Sequence, residues 1–387
     1  MKKQHKALVY HFYAHYRRPI LEELLKNSAY EWTFYGDVKD IDAGGIEAWI
    51  PENSNRFVRT NCRRISGFLF QGGLIRLALD KNIDCIVYLG DWHFVATWIS
   101  AILARLSGKR VLFWTHGWLR QESGLFFGVR NVFYRLAHGL LLYGHQAKMY
   151  GLMKGFNPES LYVIYNSLDY IKQSNIRKSI TRDDIETTRR ELFSDIDTPI
   201  VICSSRLTKS KQIDQLVQAA SILKKTGNNI NLLIVGDGPE RNALTDLARQ
   251  LDVNIHMFGP CYEENILGRL FLSSDITVIP GAAGLTIMHS LAYGIPVIVH
   301  NDSTKHGPEF EAIIPGVNGD TYNKDDIEAL AQVILKWTEK NSDIDTQSKD
   351  SYKIIDMLYN PEKQRQIIDR AVNGLPADDI FWLKEHD

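Results

Sequence analysis

Short apolar runs, each rich in β-branched or aromatic residues, recur along this chain: KALVYHFY, CIVYLG, RVLFWTHG, GLLLYG, LYVIYNS, PIVICSS, INLLIVGDG, IHMFGP, ITVIPG and PVIVHN. Their apolarity is continuous rather than alternating, which marks strands covered on both faces of a parallel sheet. Amphipathic stretches of helical length separate them, so strand and helix alternate and each crossover must be right-handed. The pattern predicts an α/β chain of doubly wound sheets. At 387 residues the chain holds two such domains rather than one. The polar, charge-rich segment YIKQSNIRKSITRDDIETTRRELFSDIDTP precedes the fresh strand after Pro199 and marks the boundary. It divides a first domain over 1–175 from a second over 195–363, with further helical sequence over 364–387.

Composition excludes several classes. Lys plus Arg number 45 and Asp plus Glu 46, so no global charge draws the chain toward nucleic acid or anionic lipid. The four cysteines (Cys62, Cys85, Cys203, Cys261) form no CxxC pair, which disfavours a zinc site or a disulfide framework and fits a reducing cytosol. The N-terminal stretch MKKQHKALVYHFYAHYRRP is broken by His11 and His15 and reads as a first strand, not a signal peptide. No apolar stretch approaches the length of a membrane span. The expected setting is cytoplasmic, with a possible peripheral contact at an inner membrane surface through the aromatic and basic stretch 125–156, which reads otherwise as a helix packed on its sheet.

Doubly wound sheets bind ligands at the carboxyl ends of their strands, so the residues just beyond each strand carry the functional information. Here those tips are polar or glycine-rich. His15, Tyr16 and Arg17 follow the first strand; His116 follows VLFWT; Asn166 follows YVIY; Arg206 and Lys211 follow VICSS. The loop PGAAG, residues 280–284, opens directly into a helix, and small side chains there let a ligand approach the free N–H groups of the first turn. Arg206 and Lys211 would rise beside that loop if their strands are neighbours, one as a fork and one as a point charge suited to a diphosphate. The run GDGPER lacks the third glycine of a dinucleotide fingerprint, since Arg241 stands there, and reads as a plain strand-to-helix turn. There is no P-loop. The i, i+4 histidines His11 and His15 lie where strand runs into turn, so they do not converge on a metal.

Taken in order, SRLTKSKQIDQLVQAA, LLIVGDGPERNALTDLARQL, YVIYNSLD, GLTIMHSLAYGIPVI and GPEFEAIIPGVNG resemble the family 4 retaining glycosyltransferases of the GT-B fold, most strongly from about 160 to 335. The resemblance implies two Rossmann-like doubly wound domains facing an interdomain cleft. The first would hold the acceptor, with His15, Tyr16 and Arg17 on that side; the second would hold a nucleotide-sugar. Helices near the C-terminus, about 364–387, would return to the first domain. Arg206 and Lys211 match the pair that stabilises the leaving diphosphate, and His116 matches the histidine beside the donor sugar. Gly284 and Leu285 fall where backbone amides meet phosphate, and Thr286, His289, Gly281, Glu309 and Asn166 complete the implied donor set. One departure stands out: where the family carries Glu, seven residues, Glu, this chain has Gly281 and His289.

The implied reaction moves a sugar from a nucleoside-diphosphate donor to a hydroxyl of a glycan or lipid-linked saccharide, with retention, in surface polysaccharide or glycoconjugate synthesis. Leaving-group stabilisation carries the chemistry, so neither a metal nor a cofactor is expected. Two alternatives stay open. One is a sugar-nucleotide epimerase or hydrolase of the same fold; the other is a non-catalytic nucleotide-sugar-binding protein, motivated by Gly281 and His289.

Overall fold

The computed structural model describes residues 4–39, 47–120, 124–339 and 344–378. The chain divides into two compact units, residues 1–169 with 360–387, and residues 170–359.

In the first unit a parallel sheet is built from β1 (His5–Phe12), β2 (Glu31–Asp37), β3 (Phe57–Arg59), β6 (Ile83–Leu89), β7 (Arg110–Thr115), β8 (Gly139–Leu142) and β9 (Leu161–Val163), in the order β3-β2-β1-β6-β7-β8-β9. Between β3 and β6 lies an antiparallel hairpin, β4 (Cys62–Ile65) and β5 (Phe68–Gln71). Helices α1 (Arg18–Asn27), α2 (Leu74–Leu79), α3 (Val95–Leu106), α4 (Leu125–Tyr134) and α5 (His145–Met153) are the connections. The segment 125–156 is thus helix, strand, helix rather than a single amphipathic helix, and its strand β8 is wholly buried.

The second unit opens with α6 (Tyr170–Ser179) and α7 (Arg182–Leu192). Its sheet contains β10 (Ile200–Ser204), β11 (Asn231–Val235), β12 (Ile255–Gly259), β13 (Ile276–Ile279), β14 (Val297–His300) and β15 (Gly319–Tyr322), in the order β12-β11-β10-β13-β14-β15. Helices α8 (Ile213–Lys225), α9 (Arg241–Gln250), α10 (Glu264–Leu272), α11 (Leu285–Ala292), α12 (Ile327–Thr338) and α13 (Ile344–Met357) complete it. Alternate residues of β10 feed opposite cores: Val201 and Cys203 join Leu232, Ile234 and Ile276, while Ile200 and Ile202 join Leu233, Val235 and Phe271. Both faces are covered, which is why the strand reads as a continuous apolar run.

Two boundaries differ from those the sequence suggests. The polar segment 170–192 does not itself form the boundary but belongs to the second unit, which begins at Tyr170. Thr181 and Asp184 close a capping box at the start of α7, and Ile176 and Phe193 enter the core of the second unit. The final described helix, α14 (Pro361–Val372), starts three residues before position 364, with Asn360 as its cap, and belongs to the first unit. There Arg110 Nε donates to the Ala371 carbonyl at 2.7 Å and Ser28 Oγ donates to Asp369 at 2.6 Å. Residues 379–387 of the anticipated C-terminal segment lie outside the described residues. Among the described residues, no helix is long and apolar enough to cross a membrane.

In each unit the strand order reverses beside the first strand, between β1 and β6 and between β10 and β13. Such a reversal opens a crevice at the carboxyl ends of the two strands. The candidate residues fall there.

Candidate active site

In the second unit, β10 pairs directly with β13, so the loop after each rises beside the other. Backbone contact between these loops is close enough to exclude side chains. A Cβ added to Gly281 would stand 2.6 Å from the Lys211 carbonyl carbon and would overlap Ser210. On the other side, a Cβ on Gly236 or Gly238 would stand 2.9 Å from the carbonyl carbon of Ser205 or 2.8 Å from that of Leu207, and both glycines have positive φ. The glycines of GDG and PGAAG therefore clamp the basic loop 205–211 between two neighbours. Gly281 serves this packing, and a glutamate cannot occupy its position without moving Lys211.

Hydrogen bonds then set the direction of the 280–284 loop. The Ala282 N–H donates to the Ser210 carbonyl at 3.2 Å, and Lys211 Nζ donates to the Ala282 carbonyl. The Ala283 N–H donates to His306 Nδ1 at 3.1 Å, and the Gly307 N–H donates to the Ala283 carbonyl at 2.8 Å. Because His306 Nδ1 accepts, its Nε2 carries the proton and donates to the His300 carbonyl at 2.8 Å. Burial lowers the pKa of His306 to about 4, so it holds this loop as a neutral ring. With 282 and 283 satisfied internally, the N–H groups of Gly284, Leu285 and Thr286 open α11 without an acceptor among the described residues. These amides form the positive end of the helix dipole.

The remaining donor-side candidates surround this point. Thr286 Oγ1 donates to the Ser204 carbonyl at 2.9 Å, tying α11 to β10. Lys211 is half-buried, and burial lowers its pKa. Arg206 lies two residues past Ser204 with its side chain exposed. Glu309 is buried beside Gly307, where an added Cβ would stand 3.5 Å from the Gly284 Cα.

One turn along α11, His289 Nδ1 lies 3.4 Å from Gln173 Nε2 and 3.6 Å from Glu264 Oε1. Glu264 also accepts from the Tyr293 hydroxyl at 2.8 Å and from Gln173 at 3.0 Å. Burial lowers the pKa of His289 against the pull of Glu264. The neutral ring therefore accepts at Nδ1 and presents Nε2–H as a donor. His306, Glu264 and Gln173 were not apparent from the sequence. For His306 a signal existed, since it sits between the strand PVIVH and the run GPEFEA.

The other candidates are in the first unit. Asn166, on the turn after β9, is there too, and its Oδ1 accepts from the Ser167 N–H at 3.0 Å. His15 and Tyr16 are exposed on the turn after β1. Arg17 turns inward, donating to Tyr143 Oη at 2.6 Å and Tyr10 Oη at 3.2 Å. His116, at the tip of β7, packs its ring 4.6 Å from that of Tyr143. The residue is open to solvent, yet desolvation of its ring and then the charge of Arg17 lower its pKa to about 4. It is neutral at pH 7.

Residues 184–354 match the family model described as Glycosyl transferases group 1. The chain resembles that family across this stretch and has the GT-B fold of two Rossmann-like domains. Among curated relatives, the GDP-mannose-dependent monoacylated alpha-(1-6)-phosphatidylinositol monomannoside mannosyltransferase of Corynebacterium glutamicum is 25% identical over 166 residues, covering 40% of this chain and 42% of that protein. The alpha-monoglucosyldiacylglycerol synthase of Acholeplasma laidlawii is 27% identical over 201 residues, covering 47% and 48%. The matches thus span less than half the length of these relatives. Two solved structures share the fold over nearly the whole chain. Anabaena Alr3699/HepE in complex with UDP has a TM-score of 0.71 at 17% identity, covering 97% of this chain and 100% of that one. A glycosyltransferase from Rickettsia africae ESF-5 has a TM-score of 0.72 at 16% identity, with coverage of 97% and 100%.

Proposed function

We propose that this protein is a retaining glycosyltransferase that moves a sugar from a nucleoside-diphosphate sugar to a hydroxyl of a glycan or lipid-linked saccharide. The observation that carries the reading is the group of three unpaired amides, Gly284 to Thr286, opening α11 on a loop that also binds Lys211. These donors suit the charge that develops on a diphosphate as the bond to the anomeric carbon breaks. In the proposed step the acceptor oxygen bonds to that carbon on the same face, and its proton passes to the departing phosphate. Lys211 and Arg206 neutralise the leaving group, Nε2–H of His289 serves the ribose hydroxyls, and neutral His116 lies beside the sugar. No metal is required by this scheme.

Surface polysaccharide or glycoconjugate synthesis is the proposed setting, in keeping with the lipid-linked products in the relatives' names. Peripheral contact with a membrane through 125–156 belongs to the same proposal. Phe126, Val132, Met149 and Met153 are exposed there, and residues 92–158 hold eight Lys and Arg against the single acid Glu122. Flotation with anionic vesicles tests it, and absence of binding at low salt removes it.

A thermal-shift screen of UDP-, GDP-, ADP- and TDP-sugars tests the main reading, since a ligand that prefers the folded state raises Tm. One base is expected to stabilise the protein, and product analysis with a panel of acceptors should then show transfer. Failure of every nucleotide to bind sinks the proposal.

A further inference from the structure

Arg17 is partly buried, yet its guanidinium meets no carboxylate among the described residues. Its hydrogen bonds go to the two phenols of Tyr10 and Tyr143. Its Cζ lies over three rings, 4.7 Å from the centre of Tyr10, 5.6 Å from Trp114 and 5.8 Å from Tyr143. Burial raises the pKa of Tyr10 well above its ordinary value, so that phenol supplies no countercharge. A guanidinium has five N–H donors, and burying it without an anion is unfavourable.

A second observation points the same way. Trp114 is fully buried, and its Nε1–H has no hydrogen-bond partner among the described residues. The Tyr10 and Tyr143 hydroxyls both accept from Arg17, and neither O–H has an acceptor among the described residues. The cluster is therefore rich in donors and short of acceptors. It stands at the carboxyl ends of β1 and β7, with His116 against Tyr143. A packing arginine would account for the ring contacts but not for a buried indole N–H left unpaired beside it.

We propose that the first unit carries an oxyanion site, formed by Arg17, the Trp114 indole N–H and the Tyr10–Tyr143 phenol pair, that takes a phosphate or carboxylate group. Arg17 supplies the charge and a forked pair of donors, while the aromatic walls strengthen each bond by excluding water. The inference rests on the proposed transfer reaction for its biological sense. The anion has two possible sources: an acidic group on the acceptor, or the diphosphate of the donor.

The test uses the full chain, labelled with ¹⁵N at its indole groups, with the Trp114 resonance assigned through Trp114→Phe. Titration with inorganic phosphate is expected to shift that resonance saturably. Measured by calorimetry with inorganic phosphate, Arg17→Gln should weaken binding at least tenfold, and Trp114→Phe about threefold. Glycerol 3-phosphate and glycerol, then UDP and GDP, distinguish the sources. If the acceptor brings the anion, Arg17→Gln loses glycerol 3-phosphate but keeps its nucleoside diphosphate. If the donor does, the nucleoside diphosphate weakens by the same factor. An unmoved Trp114 resonance in the wild-type protein, with a nucleoside diphosphate still bound, overturns the site and leaves the transferase reading standing. If no nucleotide binds but phosphate still moves Trp114, the transferase reading fails and the site survives. Should Arg17→Gln not fold, the wild-type titration and Trp114→Phe still decide the matter.

Discussion

The two units share a topology and differ in what they offer at its reversal point. The second presents backbone: a glycine- and alanine-rich loop, three unpaired amides and one half-buried lysine. The first presents side chains: Tyr10, Arg17, Trp114, His116 and Tyr143. Charge separates them as well. Residues 53–158 hold fourteen Lys and Arg against four Asp and Glu, in a chain whose formal net charge is only -1. A site made of backbone needs absent side chains, so adding atoms should break it. A site made of side chains should break when atoms are removed.

The largest effect is expected from adding atoms in the second unit. Gly281→Glu, which installs the residue of the resembled family, should cost about 3 kcal/mol or more through overlap with Ser210 and Lys211, and should abolish nucleotide-sugar binding. Thermal unfolding and donor titration check it; a stable variant with improved turnover would refute the clamp.

The next effect is a dependence on pH. His306 has a folded pKa of about 4 against an ordinary 6.5. The unfolded chain therefore binds the proton first as pH falls. The contribution is complete above pH 6.5 and is lost between 6.5 and 4, about 3 kcal/mol in all. Urea unfolding at pH 7 and 4.5 should show His306→Asn less stable at pH 7 but with a shallower decline. Parallel declines would remove His306 from the account.

Single deletions then sharpen the contrast in function. On the proposed mechanism, in which Lys211 meets charge that develops in the transition state, Lys211→Ala should lower kcat about 10²-fold. His116→Ala should also lower turnover, by roughly tenfold to 10²-fold, while leaving nucleoside diphosphate affinity as it was. A loss of nucleotide affinity in His116→Ala equal to that in Lys211→Ala would end the division of labour between units. The smallest effect is Thr286→Val, which deletes the hydrogen bond to Ser204 and should cost about 1 kcal/mol by thermal unfolding.

Much of the fold was legible in single segments. The apolar runs became β1 and β6 through β14, because strands buried on both faces leave a continuous local signature. β2, with the sequence EWTFYGD, escaped notice because charged and polar residues interrupt its apolar pattern, although it pairs on both sides. β15, with GDTY, is too short and polar to announce itself. The helices of 170–192 read as a domain boundary because polar and charged residues dominate them; their few buried residues, such as Ile176, matter only once packed in the second unit's core. The site divides in the same way. Lys211, Gly284 and His116 were found as strand tips, whereas His306 was not, since its importance lies in one bond to an amide 23 residues away.

What the sequence determined by itself was the alternation of strand and helix, the two-domain plan and the residue types at each strand tip, all of which depend on neighbours within a few positions. Tertiary structure decided which tips meet. Only sheet order sets β10 against β13, and only packing brings Arg17 to Tyr143, 126 residues away. Such pairings depend on long-range burial and on how closely two backbones can approach, quantities that no local window contains.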